Sequence, residues 1–193
     1  MSASPTVQPK MDTLKKTSAS LPGLLILEPR VFGDERGFFL ESYNERALAE
    51  LGIQERFVQD NHSCSRRNVL RGLHYQIKQA QGKLVRVVEG EILDVAVDLR
   101  RSSPTFRAWQ AVRLSGENKR MLWIPAGFAH GFLVTSDKAH VLYKATDYYA
   151  PEHERTLVWN DPDLNIQWEL EGEPMVSAKD QRGVALRDAE TFE

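Results

Sequence analysis

The sequence predicts an all-β protein, a sandwich or barrel of many short strands, and three observations carry that expectation. Leu93, Val95, Val97 and Leu99 alternate with Asp94, Ala96 and Asp98, the period of two that a strand imposes on its faces. Turn-forming clusters recur at near-regular spacing: Ser102-Ser103-Pro104, Ser115-Gly116-Glu117-Asn118, Pro125-Ala126-Gly127 and Ser136-Asp137. No strand–helix–strand alternation is visible, which argues against a doubly wound parallel sheet.

The elements follow in order. Residues 24–27 form a short apolar run that reads as the first strand. Residues 41–51 are the best helical segment, with Leu48 and Leu51 three apart and Gly52 as a stop. Gly90 turns a strand over 83–88 into the alternating strand over 93–99. Further strands are expected over 109–114, 121–125, 131–134 and 140–146. After Pro151 the chain is turn-rich, with a short strand or helix expected near 166–170. Residues 1–20 are rich in Ser, Thr and Lys and lack the apolar run of a signal peptide, so they read as a flexible N-terminal leader to one domain over 21–193.

Bulk properties narrow the function. The 193 residues suffice for one domain with a sizeable core, and 41% hydrophobic with 27% charged residues is ordinary for a globular protein and gives no sign of disorder. A net charge of -2 argues against a general nucleic-acid binder while leaving room for a local basic pocket. No stretch approaches the length of a membrane-spanning helix, so no membrane partner is expected. The single cysteine, Cys64, forbids an intrachain disulfide and fits a reducing cytoplasm.

The polar residues concentrate in a few segments. Gln59-Asp60-Asn61-His62-Ser63 is followed by Leu70-Arg71-Gly72-Leu73-His74-Tyr75-Gln76 and Gln81-Gly82-Lys83. Later come Pro125-Ala126-Gly127-Phe128-Ala129-His130-Gly131-Phe132 and Tyr143-Lys144-Ala145-Thr146-Asp147-Tyr148-Tyr149. Taken singly, each has a plain alternative. His74 reads first as a structural histidine, Lys83 as a solvated charge, Tyr143 as filler and Asp180 as a turn residue. Strand faces add a constraint. If Val141 points inward, so do Tyr143 and Ala145, and His130 shares a face with Phe132 and Val134. Arg71 and His74 differ by three, so they reach one cavity only if Gly72 lies in a bulge or turn.

In these motifs the sequence resembles the dTDP-4-dehydrorhamnose 3,5-epimerase family, over residues 21–183. The resemblance runs through Phe32-Gly33-Asp34-Glu35-Arg36-Gly37-Phe38-Phe39, Asn61-His62-Ser63, Val69 to Gln76, Pro125 to Phe132, Tyr143 to Tyr149, Trp159-Asn160-Asp161-Pro162 and Ser177 to Asp180. It implies a cupin-type jelly-roll barrel with short peripheral helices, a homodimer and a dTDP-sugar substrate. It also implies roles: His74 as general base, Asp180 as its carboxylate partner, Tyr143 as general acid and Lys83 as the cation near the sugar carbonyl. Arg36, Glu41, Gln59, Asp60, Asn61, Arg71, His130, Glu154 and Lys179 match substrate-contacting positions. Tyr149 matches an aromatic that stacks on the nucleotide, with Phe32 helping from the loop before Arg36. No cofactor and no metal is implied, because a ketone beside the epimerised carbons is itself the electron sink.

Three rivals remain open at this level. A metal-dependent cupin would use His74 and His130 as ligands, but it usually carries a His-x-His pair where this chain has Gln76 two residues after His74. A non-catalytic carbohydrate-binding jelly roll would keep Arg36, Arg71 and Tyr149 without needing an Asp-paired histidine. A related enzyme acting at C3 alone, or a ketoisomerase, would share the catalytic pair.

Overall fold

The computed structural model describes residues 13–193. In chain order the strands are β1 (Leu14–Ser18), β2 (Leu25–Pro29), β3 (Val31–Asp34), β4 (Gly37–Leu40), β5 (Gln59–Arg66), β6 (Leu70–Gln76), β7 (Lys83–Glu89), β8 (Glu91–Asp98), β9 (Trp109–Ser115), β10 (Met121–Ile124), β11 (Phe128–Val134), β12 (Lys138–Ala145) and β13 (Glu154–Thr156). One short helix, α1 (Glu45–Glu50), precedes β5. The strands form a six-stranded sheet in the order β1-β2-β10-β7-β12-β5 and a five-stranded sheet in the order β13-β6-β11-β8-β9. The β3–β4 hairpin stands apart from both. All named pairings are antiparallel, and the crossovers between the sheets make a cupin-type jelly roll.

Three apolar clusters hold the layers. The first fills the space between the sheets: Val85, Leu122, Ile124 and Val141 from the six-stranded sheet meet Ile92, Ala96, Leu114, Phe132 and Val134 from the other. The second lies outside the five-stranded sheet, where Leu73, Leu93, Val95, Val97 and Leu133 are covered by Leu157, Leu164, Trp168 and Leu186 of the C-terminal segment. The third lies outside the six-stranded sheet, where Leu48 of α1 and Ile53 cover Leu27, Leu84, Met121 and Trp123.

This layering changes the meaning of the β8 alternation. Its apolar residues face outward under the C-terminal segment, while Asp94 and Asp98 are fully buried on the inner face. Both faces of the strand are therefore dry, and each carboxylate has partners. Asp98 binds Arg100, Ser103 and Thr105, bonds that hold its carboxyl down at about 2 against the upward push of burial.

Several segments depart from expectation. Residues 1–12 of the expected leader lie outside the described residues. Leu14–Ser18, also assigned to the leader, is strand β1, paired with β2 along its whole length. An edge strand needs backbone partners more than an apolar pattern, and Leu14-Lys15-Lys16-Thr17-Ser18 shows little of one. The helix expected over 41–51 begins at Glu45 because the Asn44 side chain caps it, accepting from Ala47 N at 3.1 Å. Residues 166–170 form no strand or helix; the buried Trp168 pins them by donating from Nε1 to the Trp159 carbonyl.

Candidate active site

A cavity of about 440 Å³ opens between the two sheets. Its walls include Arg71 and His74 from β6, His130 from β11, Lys83 from β7 and Tyr143 from β12, with Lys179 and Asp180 arriving from the C-terminal segment. The sheets therefore oppose His74 on one wall to Tyr143 on the other.

Arg71 and His74 share this cavity because β6 is bulged. His130 pairs with His74 but Phe132 pairs with Arg71, so Gly131 alone opposes both Gly72 and Leu73. Gly72 has φ near +113°, and a Cβ there would lie 2.6 Å from Gly131 Cα. A Cβ on Gly131 would lie 2.7 Å from the Arg71 carbonyl oxygen. The two glycines let the backbones approach closely enough to turn both side chains inward.

His74 Nε2 lies 2.6 Å from Asp180 Oδ1. The imidazole is partly open to the cavity, with 27% of its side-chain surface exposed against 3% for Asp180. Burial pushes the Asp180 carboxyl up, but the bonds from His74, Ser177 and the Gly72 N–H outweigh it and leave the group below its ordinary value. Asp180 is thus an ionised, fixed acceptor, and its bond to Nε2 leaves Nδ1 of His74 as the nitrogen that can take a proton.

Lys83 enters at the start of β7, with Nζ 3.5 Å from the His74 carbonyl oxygen. Burial depresses its ammonium to about 8, against the upward pull of Asp94 and Glu154. Tyr143 is pushed above its ordinary value, first by burial and then by the charge of Glu154, so its phenol keeps its proton at neutral pH. Arg71 donates from Nε to Ser65 Oγ at 3.0 Å, which aims its guanidinium along the wall.

Beside the cavity runs a chain of polar contacts. Lys179 pairs with Glu154, Glu154 accepts from the Tyr149 hydroxyl at 2.7 Å, and Gln59 accepts from the Tyr149 N–H at 3.0 Å. Gln59 in turn donates to Asn61 Oδ1 at 3.0 Å. Five residues expected at the site are therefore linked to one another. His130 is placed deeper: its Nε2 lies 2.9–3.0 Å from both oxygens of the buried Asp94.

Four expected residues lie elsewhere in this chain. Asp60 is exposed, on the opposite face of β5 from Asn61, and pairs with Lys144 at 3.0 Å. Glu41 precedes α1 and accepts from Thr13 at 3.3 Å. Phe32 and Arg36 sit on the exposed β3–β4 hairpin, where Arg30 lies over the Phe32 ring and Arg36 pairs with Asp34. The sequence reasoning missed Ser63, Ser177 and Asp94. Ser63 could have been found by parity, two residues from Asn61 on one strand face. Asp94 and Ser177 gave no local signal.

Comparison with known proteins bears on the fold and the family. The sequence profile of the dTDP-4-dehydrorhamnose 3,5-epimerase family matches residues 18–188. A dTDP-4-dehydrorhamnose 3,5-epimerase from Pseudomonas aeruginosa is 62% identical over 180 residues, covering 93% of this chain and 99% of that protein. The crystal structure of a dTDP-6-deoxy-D-glucose-3,5-epimerase from Legionella pneumophila, in complex with dTDP-4-keto-L-rhamnose, superposes with a TM-score of 0.90 at 52% identity, covering 92% of this chain and 95% of that one. A 3'-monoepimerase from Streptomyces bikiniensis, in complex with dTDP-quinovose, superposes with a TM-score of 0.83 at 33% identity, covering 88% of this chain and 86% of that one. The chain is an isomerase that belongs to the dTDP-4-dehydrorhamnose 3,5-epimerase family.

Proposed function

We propose that this enzyme converts dTDP-4-dehydro-6-deoxy-D-glucose to dTDP-4-dehydro-L-rhamnose, in the biosynthesis of dTDP-L-rhamnose, with His74 as base and Tyr143 as acid. The observation that carries the mechanism is the 2.6 Å pair of His74 with a buried Asp180, facing Tyr143 across one cavity. C3 and C5 of the substrate both flank the C4 ketone, so a proton on either is acidified by delocalisation into an enolate. Neutral His74 removes that proton, and Asp180 orients the ring and stabilises the imidazolium that forms. Tyr143 returns a proton from the opposite wall, and each inversion needs delivery to the other face.

Lys83 offers an ammonium to the C4 oxygen as charge develops there, a preorganised interaction of the kind worth about 3–4 kcal/mol. Arg71 and Lys179 suit the diphosphate, the arginine through its bidentate fork. Tyr149, 53% exposed beside the cavity, offers a flat face for thymine. His130 completes the wall, and Gln59, Asn61 and Glu154 form its polar margin.

The same reading accounts for the residues outside the cavity. Phe38 and Phe39 of the β3–β4 hairpin are 60% and 69% exposed, more apolar surface than one short hairpin needs. A homodimer that covers it would bring Phe32 and Arg36 of one chain toward its partner's cavity; light scattering on the purified protein reads this directly. The expected single domain over 21–193 takes in β1 as well and so begins at about Leu14, since both sheets and the C-terminal segment build one cavity. No helix among the described residues is long and apolar enough to cross a membrane, and a water-soluble nucleotide sugar suits a cytoplasmic enzyme.

The deciding experiment is NMR of dTDP-4-keto-6-deoxy-D-glucose with the pure protein in D2O, with and without EDTA. Deuterium at both C3 and C5, unaffected by EDTA, is the expected result. Deuterium at C3 alone would make this a 3-epimerase, like the relative from Streptomyces bikiniensis. No exchange would remove the epimerase mechanism for this substrate.

A further inference from the structure

Two polar atoms on the inner side of β5 stand unpaired. Asn61 Nδ2 and Ser63 Oγ are buried, and neither has a hydrogen-bond partner. Buried polar atoms in folded proteins are almost always paired, and leaving one unmade costs about 1–3 kcal/mol. The neighbours on the same strand face are accounted for: Gln59 bonds Asn61 and the Tyr149 N–H, and Ser65 holds Arg71. Because Asn61 Oδ1 is taken by Gln59, the unmet end of the carboxamide is its NH2 group. Ser63 lines the cavity together with Arg71, His74 and Tyr143. Asn61, one step along that face, is directly opposite Tyr143 in the β5–β12 ladder, as Ser63 is opposite Val141.

We propose that Ser63 is a sugar-binding residue whose hydroxyl, assisted by the Asn61 amide, holds a ring hydroxyl of the hexose. The inference rests on the cavity being the sugar-nucleotide site. A neutral hydroxyl that can both donate and accept matches another hydroxyl, whereas the phosphates are better met by Arg71 and Lys179. Its position on the strand beside Tyr143 puts it at the reacting ring and away from Tyr149 at the margin of the cavity. A serine there fixes the ring without joining the proton transfer between His74 and Tyr143.

The test is calorimetric titration of the wild-type protein and Ser63→Ala with dTDP and with dTDP-6-deoxy-D-glucose, which has no ketone and does not turn over. In Ser63→Ala we expect dTDP affinity within twofold of wild type and sugar-nucleotide affinity reduced about 3- to 10-fold. The melting temperature should be unchanged or higher, since the lost hydroxyl has no partner in the free protein; a merely structural serine would lower it. Analogues lacking the 2- or the 3-hydroxyl locate the bond: one of them should bind wild type more weakly by the same factor and lose nothing further in the variant. Equal sugar-nucleotide affinity in both proteins, or a parallel loss of dTDP affinity, would overturn the inference. Wild-type protein that binds the sugar nucleotide but gives no solvent exchange with the keto substrate would break the epimerase mechanism and leave the Ser63 ratios to be judged on their own.

Discussion

Two histidine–aspartate pairs lie side by side on one wall of this cavity, and they differ in almost everything except composition. His74 and His130 are direct partners in the β6–β11 ladder. Asp94 reaches His130 from the adjacent strand β8, with both oxygens on one nitrogen and both side chains buried. Asp180 reaches His74 from a short 3-10 turn in the C-terminal segment, with one oxygen on the ring and the other 3.5 Å from the Gly72 N–H. The first pair is locked inside the sheet. The second joins a partly open imidazole to a carboxylate held from outside the barrel. On the proposed mechanism, what sets the base apart from the other histidine is therefore access and a separately anchored partner, not the pairing itself.

Four experiments would break or sharpen this contrast. His74→Ala should slow proton exchange at both carbons by about a thousandfold or more while dTDP binding stays nearly intact, measured by deuterium uptake and calorimetry. Retained exchange would remove His74 as base and erase the distinction between the pairs. His130→Ala should instead be read mainly in stability, lowering it by about 3 kcal/mol in a denaturant titration because it strips a buried carboxylate of its partner. An unchanged midpoint would mean that His130 serves the substrate alone. Tyr143→Phe should permit abstraction yet reduce formation of the doubly inverted product about a hundredfold. Normal product at the normal rate would sink Tyr143 as the acid on the wall opposite His74.

The smallest effect is in pH. Lys83 titrates near 8 in the folded chain, below its ordinary 10.5. Activity should fall as pH rises through about 8, about tenfold per unit at the limit, as the ammonium is lost, and Lys83→Arg should move that limb upward. Between about 8 and 10.5 the unfolded chain holds more protons at this lysine than the folded one, so its contribution to stability rises with pH. A fall in activity there with an unchanged melting temperature would therefore point to the site rather than to unfolding.

How far the sequence could be read depended on what each strand faces. β8 and β12 show their alternation openly, β8 through the face that the C-terminal segment covers and β12 through the face toward the interior. β5 and β6 do not, although they carry much of the site. The inner face of β5 is Gln59, Asn61, Ser63 and Ser65, of which Ser63 lines the cavity while Gln59 and Ser65 hold polar partners, so no apolar stripe marks it. In β6 the bulge at Gly72 shifts the period between Arg71 and His74, although the spacing of those two residues already demanded such a break. The hairpin β3–β4 is exposed throughout its length apart from Leu40, and packing left no pattern in it. Asp180 was legible only through resemblance, because its partner lies 106 residues away and its own neighbourhood reads as a turn.

The C-terminal segment has a consequence for the life of the chain. It covers the outer face of the five-stranded sheet through Leu157, Leu164, Trp168 and Leu186, and it alone delivers Lys179 and Asp180. On the proposed mechanism, both sheets can close with His74, Lys83 and Tyr143 in place and still lack the carboxylate partner of the base until this segment docks. Until then the row of Leu93, Val95 and Val97 stays uncovered, a surface that chaperones bind and proteases find. Covering that surface and completing the cavity wall are the same docking event.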